Sequence, residues 1–238
     1  MTDPLFRRDA YLRTCDTVIT GMTETGGLVV AQSVFYPTGG GQPGDTGWLE
    51  WDGGRLAIVD TRKAGPLEVA LIPEAGAALP PVGARVRMDL DWERRHAHMR
   101  VHTALHLLSV VLPLPVTGGA IGELKGRLDF DMPDPPQDMQ PIEDSLNALI
   151  ARDFSVTDQW ITDQELDANP GLVKTMSVRP PVGQGRVRLV RIGTDGEQID
   201  LQPCGGTHVR GTAEIGVARL GRIENKGKQN RRVTLTLA

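Results

Sequence analysis

Two short stretches, a hundred residues apart, constrain the folding of this chain more than anything else in it. His102-Thr103-Ala104-Leu105-His106 sets two imidazoles four residues apart, and Cys204-Gly205-Gly206-Thr207-His208 sets a thiol and an imidazole four apart around two glycines. On a helix, residues i and i+4 stand on one face, so the first stretch can grip a single metal ion. A tight glycine turn can bring the second stretch to the same ion. Imidazole nitrogens with one thiolate make a borderline-soft set that suits tetrahedral Zn²⁺. A fold that uses both stretches must seat a helix near residue 100 against a turn near residue 205.

Spacing alone leaves the register open. Four of the five histidines are His96, His98, His102 and His106, and His98 and His102 are also four apart. HxxxH by itself equally describes a solvated polar helix face. The pairing says more, because the fifth histidine, His208, follows one of only two cysteines. No Glu stands between the histidines, which excludes the HExxH motif of metalloproteases.

Composition describes an ordinary soluble globular protein, with 39% hydrophobic and 24% charged residues in 238. Its apolar runs, such as Leu107 to Val116, are too short to span a bilayer. No basic segment followed by an apolar one opens the sequence, so no signal peptide is expected. Cys204 then reads as a thiolate ligand, Cys15 as an ordinary structural cysteine, and the cytoplasm as the expected compartment. The net charge of −4 argues against a general nucleic-acid coat. Its distribution matters more: Arg219, Arg222, Lys226, Lys228, Arg231 and Arg232 share one stretch with a single acid, Glu224. That stretch is either a solvated strand end or a phosphate-contacting patch.

From Thr17 to about Leu90 the pattern is strands and turns. Val18–Thr20, Leu28–Phe35, Leu67–Ile72 and Arg85–Leu90 are rich in β-branched and apolar residues. Trp48–Trp51 and Arg55–Val59 flank Asp52-Gly53 and predict a hairpin. Many short, closely spaced strands predict a small barrel. The glycine run Gly39-Gly40-Gly41-Gln42-Pro43-Gly44 lacks the Lys-Ser/Thr of a P-loop and reads as a tight turn needing positive φ.

Asp91 to Leu112 reads as a helix ended by Pro113, with Val101, Leu105, Leu108 and Leu112 as its buried stripe and the histidines at the stripe's edge. Arg94, Arg95 and Arg100 are candidates for phosphate contacts. Val116 to Gly122 reads as a turn-rich approach to a strand at Gly126 to Phe130, with Thr117 a candidate to line a substrate pocket. A second helix spans Gln140 to Phe154, with Pro141 in its first turn. Strands are expected at Val156–Trp160, Arg186–Ile192, Gln198–Leu201, Gly216–Ile223 and Arg232–Leu237. The fold class is therefore α+β: an N-terminal small β-barrel over residues 1–90, then a two-layer α+β domain over 91–238.

These motifs, in this order, resemble the free-standing alanyl-tRNA editing proteins, relatives of the editing domain of alanyl-tRNA synthetase. The resemblance is carried by His102-Thr-Ala-Leu-His106-Leu-Leu, Arg127-Leu-Asp-Phe-Asp131, Cys204-Gly-Gly-Thr-His208, Glu214-Ile-Gly216 and Ile223 to Arg232. In the N-terminal half, Phe35-Tyr-Pro-Thr-Gly-Gly-Gly-Gln-Pro-Gly-Asp-Thr-Gly47 is similar to the glycine-rich segment before that editing domain. The resemblance selects His102, His106, Cys204 and His208 as ligands of one Zn²⁺ and makes residues 91–238 the editing domain. It places Gln42 near the editing site, with Thr117, Arg231 and Arg232 as further substrate contacts. It implies a medium-length family member that deacylates serine, and with it glycine, from the acceptor stem of alanine tRNA while sparing alanine, with no obligate protein partner. One departure stands out. The synthetase's editing site usually carries an acid close before the cysteine, whereas here the order is Asp200-Leu-Gln-Pro-Cys204, and strand alternation is expected to make Asp200 a poor substitute.

Two other readings compete. One is a tRNA-binding module whose zinc is purely structural; the other is a zinc hydrolase of another small ester.

Overall fold

The computed structural model describes residues 1–174, 185–194 and 196–238. The chain forms two compact units, Met1–His96 and Ala97–Ala238.

The first unit is built on β1 (Asp3–Pro4), β2 (Thr14–Met22), β3 (Leu28–Val30), β4 (Gln32–Ser33), β5 (Gly47–Trp51), β6 (Gly54–Gly65), β7 (Glu68–Pro73) and β8 (Arg85–Leu90). Six of these close into an antiparallel barrel in the order β2-β3-β7-β6-β5-β8, which leaves no open edge. β1 and β4 pair in parallel outside it. The expected single strand from Leu28 to Phe35 breaks at Ala31, where the chain leaves the barrel for β4. The β5–β6 hairpin turns on Asp52-Gly53, with Trp51 opposite Gly54. Ile19, Leu28, Leu49, Leu71 and Met88 fill the barrel and are fully buried.

The glycine run makes the turn its composition demands. Gly39 and Gln42 exchange both backbone hydrogen bonds at 3.0 Å, while Gly40 and Gly41 sit at φ 57° and 81°. Two consecutive positive φ values define the turn that favours glycine at both central positions. Arg95, expected as a phosphate contact, is instead fully buried in this unit. It donates to the Asp45 carboxylate and to the carbonyls of Ala10 and Val34. Arg94 is likewise engaged, with the carbonyl of Gly44 at 2.7 Å.

Helix α1 (Trp92–Val111) leads into the second unit, which continues with β9 (Val116–Ile121), β10 (Lys125–Asp131), α2 (Gln140–Ala151), β11 (Val156–Ile161), α3 (Asp163–Asp167), β12 (Val187–Gly193), β13 (Gln198–Pro203), β14 (Ala218–Leu220), β15 (Glu224–Asn225) and β16 (Asn230–Leu237). One sheet runs β14-β16-β10-β9 with β15 paired to β16, and a second runs β11-β12-β13. Val101, Leu105, Leu108 and Leu112 are buried as the periodicity predicts.

Val116 to Ile121 is a strand where a turn was expected. Its glycines serve packing: a Cβ on Gly119 would meet Leu128 Cδ2 at 3.1 Å. Helix α2 ends three residues earlier than expected, because Asp153 takes φ 49° and turns the chain before Phe154. Arg100, the third candidate for phosphates, donates to the Ile215 carbonyl at 2.7 Å. Among the described residues, no helix is long and apolar enough to cross a membrane.

Candidate metal centre

Helix α1 presents His102 and His106 one turn apart, both only 7% exposed, so they lie deeper than the stripe-edge position expected of them. Strand β13 delivers Cys204 at its end, and the chain then turns through Gly205-Gly206-Thr207 to His208. Arg188 on β12 fastens this turn by donating to the carbonyls of Cys204 and Gly206, each at 3.0 Å. The Cys204 Sγ lies 3.4 Å from His102 Nε2 and 3.3 Å from His208 Nε2. One ligand atom from each of His102, His106, Cys204 and His208 lies within 4.8 Å of all the others. His98, the alternative register, is buried but stands outside this group.

The donor set fits Zn²⁺. With Zn–S near 2.3 Å and Zn–N near 2.0–2.1 Å, tetrahedral geometry separates sulfur from nitrogen by about 3.5 Å, close to both sulfur–nitrogen distances here. Two members of the set, Cys204 and His208, are also held toward the forms that bind metal. Burial pushes the Cys204 thiol up, but the facing His102 and His208 outweigh it and hold the thiol well below its usual range. Burial and the neighbouring His102 hold His208 well below the ordinary histidine value. A thiolate and a neutral imidazole are the forms that bind metal.

Two of the rings are anchored from behind. The Thr103 hydroxyl donates to the Met99 carbonyl at 3.0 Å, so its oxygen is left to accept. It accepts from His208 Nδ1 at 3.1 Å and from the Val209 N–H at 3.3 Å. His208 is therefore the Nδ1–H tautomer, with its Nε2 lone pair toward the sulfur. His106 Nδ1 lies 3.0 Å from Asp200 Oδ2. Burial opposes a charge on His106, but its hydrogen bonds to Asp200 and Cys204 outweigh this and raise its pKa to about 9. Asp200 is held at about 2: burial pushes it up, and His106 and Lys174 more than offset that.

Asp200 therefore takes a place that the sequence argument denied it. Positions 200, 202 and 204 share parity, so strand alternation sets Asp200 on the face that carries Cys204. Counting back by twos from Cys204 was the signal. Thr103, Arg188 and Lys174 carried no comparable signal, since their roles exist only once distant strands are paired.

The remaining candidates divide. Thr117 on β9 donates to Asn230 Oδ1 on β16 at 2.8 Å. Arg232 Nε and Nη2 straddle the Asp129 carboxylate on β10 at 2.8 and 3.1 Å, and Arg127 donates to the same carboxylate. Arg231 folds onto the Asn225 side chain and the Gly227 carbonyl. Arg231 and Arg232 thus have partners within the protein. Gln42 belongs to the first unit, where it is fully buried beneath the glycine turn.

A hollow of about 520 Å³ adjoins the centre, lined in part by Ser109, Pro113, Leu114, Val173, Lys174 and Ile199. Two of its residues connect to the ligands: Ser109 donates to the His106 carbonyl at 2.7 Å, and Lys174 pairs with Asp200.

Residues 187–234, which carry Cys204 and His208, match the family model described as the threonyl and alanyl tRNA synthetase second additional domain. Residues 13–94 match the model for class II (A) tRNA synthetases. Fold and site thus define a protein of the synthetase editing class. The chain is 34% identical to alanyl-tRNA editing protein AlaX-M of Methanosarcina acetivorans, over 100% of this chain and 99% of that one. It is 31% identical to AlaX-L of Pyrococcus horikoshii, covering 99% of this chain and 58% of that one. It is also 34% identical to alanine–tRNA ligase of Pyrobaculum calidifontis, over 94% of this chain and 25% of that one. The chain belongs to the family of free-standing alanyl-tRNA editing proteins.

Proposed function

We propose that this protein is a zinc-dependent aminoacyl-tRNA deacylase that removes serine, and also glycine, from alanine tRNA and spares alanine. The observation that carries the reading is the convergence of His102, His106, Cys204 and His208 in a chain whose full-length relatives are named alanyl-tRNA editing proteins. A bound Zn²⁺ would supply Lewis acidity toward an ester carbonyl. The chain's own residues hold the ligands ready: Thr103 fixes the tautomer of His208, Arg188 fixes the Cys204 turn, and the Cys204 thiol is already held toward its ionised form.

The need for such a reaction follows from a limit on selectivity. A pocket for alanine cannot exclude glycine by size and rejects an added hydroxyl only weakly, so a second site must test the product. The reading gives Thr117 the role of meeting the serine hydroxyl, and Arg231 and Arg232 that of contacting the acceptor end; Gln42, fully buried, closes the glycine turn instead. It assigns the deacylase to residues 91–238 and the glycine-loop barrel to 1–90, working in the cytoplasm without an obligate protein partner.

One observation favours a second reading. Four protein ligands are the number of a closed, structural zinc site, whereas catalytic zinc keeps an open position. A tRNA-binding module with structural zinc would bind tRNA with a steep salt dependence and turn nothing over. Deacylation of Ser-, Gly- and Ala-tRNA(Ala) side by side, with zinc content measured on the same sample, separates the two. Hydrolysis of the serine and glycine esters but not the alanine ester is expected. No rate above buffer with zinc-loaded protein would defeat the deacylase reading.

A further inference from the structure

A carboxylate with a completely buried side chain stands behind the metal centre. Burying such a charge is costly unless its oxygens are well bonded, and the Asp200 oxygens are. Oδ2 accepts from His106 Nδ1 at 3.0 Å and from Gln202 Nε2 at 2.7 Å, and Oδ1 takes the Lys174 ammonium. Gln202 also reaches Ser109 Oγ at 3.4 Å, and that hydroxyl donates to the His106 carbonyl at 2.7 Å. The ring and the main chain of His106 are thus tied to one carboxylate by two routes. The contrast with His208, anchored by the neutral Thr103 hydroxyl, makes the ligand set unequal.

We propose that Asp200 is the positioning residue of the metal centre: it locks His106 as the Nδ1–H tautomer with Nε2 toward Cys204, and Lys174 and Gln202 hold the carboxylate in place. A carboxylate on the far nitrogen fixes the ring's orientation and makes it a stronger donor. His106 is then a firmer nitrogen ligand than His208, whose anchor is neutral. The inference rests on the reading of these four residues as metal ligands.

Zinc affinity, measured by competition with a chromogenic chelator, tests it without recourse to activity. Asp200→Ala is expected to lose roughly 10–100-fold, Asp200→Asn less because it keeps an acceptor, and Thr103→Val less than Asp200→Ala. The double variant Lys174→Met/Asp200→Ala separates positioning from mere charge balance. If Asp200 positions His106, the double variant stays as weak as Asp200→Ala. If Asp200 only neutralises Lys174, affinity returns to wild type and the proposal falls. Nitrogen-15 spectra of the zinc-loaded wild type need no variant, and a His106 ring protonated on Nε2 would equally overturn it. Wild-type affinity in Cys204→Ala would instead sink the metal-centre reading itself, a result distinct from failure of the Asp200 variants alone.

Discussion

Gly126 on β10 lies so close to Val101 on helix α1 that a Cβ added to the glycine would stand 2.5 Å from Val101 Cγ1. Leu105 Cδ1 would be 3.0 Å away and the Ala120 carbonyl 3.3 Å. The helix that carries His102 and His106 therefore rests on bare backbone. Gly126→Ala should destabilise the protein by about 1–3 kcal/mol through overpacking. Because the strain lifts the turn bearing His102 and His106, zinc affinity should fall as well. Urea denaturation and chelator competition on one sample check both.

Removing the only sulfur ligand tests the centre directly. Cys204→Ala should weaken zinc binding by on the order of 100-fold, since affinity depends on a complete set of deprotonated ligands. Deacylation of serine-charged alanine tRNA should be lost with it. Chelation of zinc from the wild type should abolish the same activity, and zinc should restore it to the wild type but not, at equal concentration, to the variant.

The two adjacent arginines on β16 should behave differently. Arg231→Ala leaves only neutral partners behind, so it should weaken tRNA binding and lower the salt slope by about 1, with little change in stability. Arg232→Ala strips a bidentate partner from Asp129, which is 8% exposed, and should cost about 1–3 kcal/mol. Salt titrations of binding paired with thermal melts distinguish the two outcomes.

Glu143 on α2 accepts from the Leu220 N–H at 2.7 Å and from Arg219 at 2.7 Å. These bonds outweigh burial and hold its carboxyl below the usual glutamate value of 4.5. A depressed folded-state pKa contributes stability above the unfolded value, and the contribution is lost as pH falls toward and through the folded one. Below about pH 5 the wild type should therefore lose stability that Glu143→Gln never had. The two stability curves should converge as the solution becomes more acidic; curves that stay parallel below pH 5 would contradict this assignment.

How much of this was legible in the residues depended on the range of the interaction. Local patterns carried far: the Asp52-Gly53 hairpin, the glycine turn at residues 39–42 and the buried stripe of α1 follow from periodicity and turn chemistry. The cluster of His102, His106, Cys204 and His208 was legible because Cys and His are scarce and their spacing is regular. Arg95 was not, because an arginine on a helix looks the same whether it faces solvent or a buried carboxylate fifty positions earlier. Strand β9 was missed for a similar reason: Gly118 and Gly119 signal a turn until a neighbouring strand is there to press against them. Asp200 lay within reach of the same local patterns, because residues two and four before Cys204 share its strand face.

The cysteine and the first histidine of the centre are separated by 102 positions. During synthesis, the helical pair leaves the ribosome long before the thiol that completes the set. A nascent chain therefore presents two of the four clustered side chains, His102 and His106, until Cys204 and His208 have emerged. The finished fold, with β13 in its place, is what brings all four together.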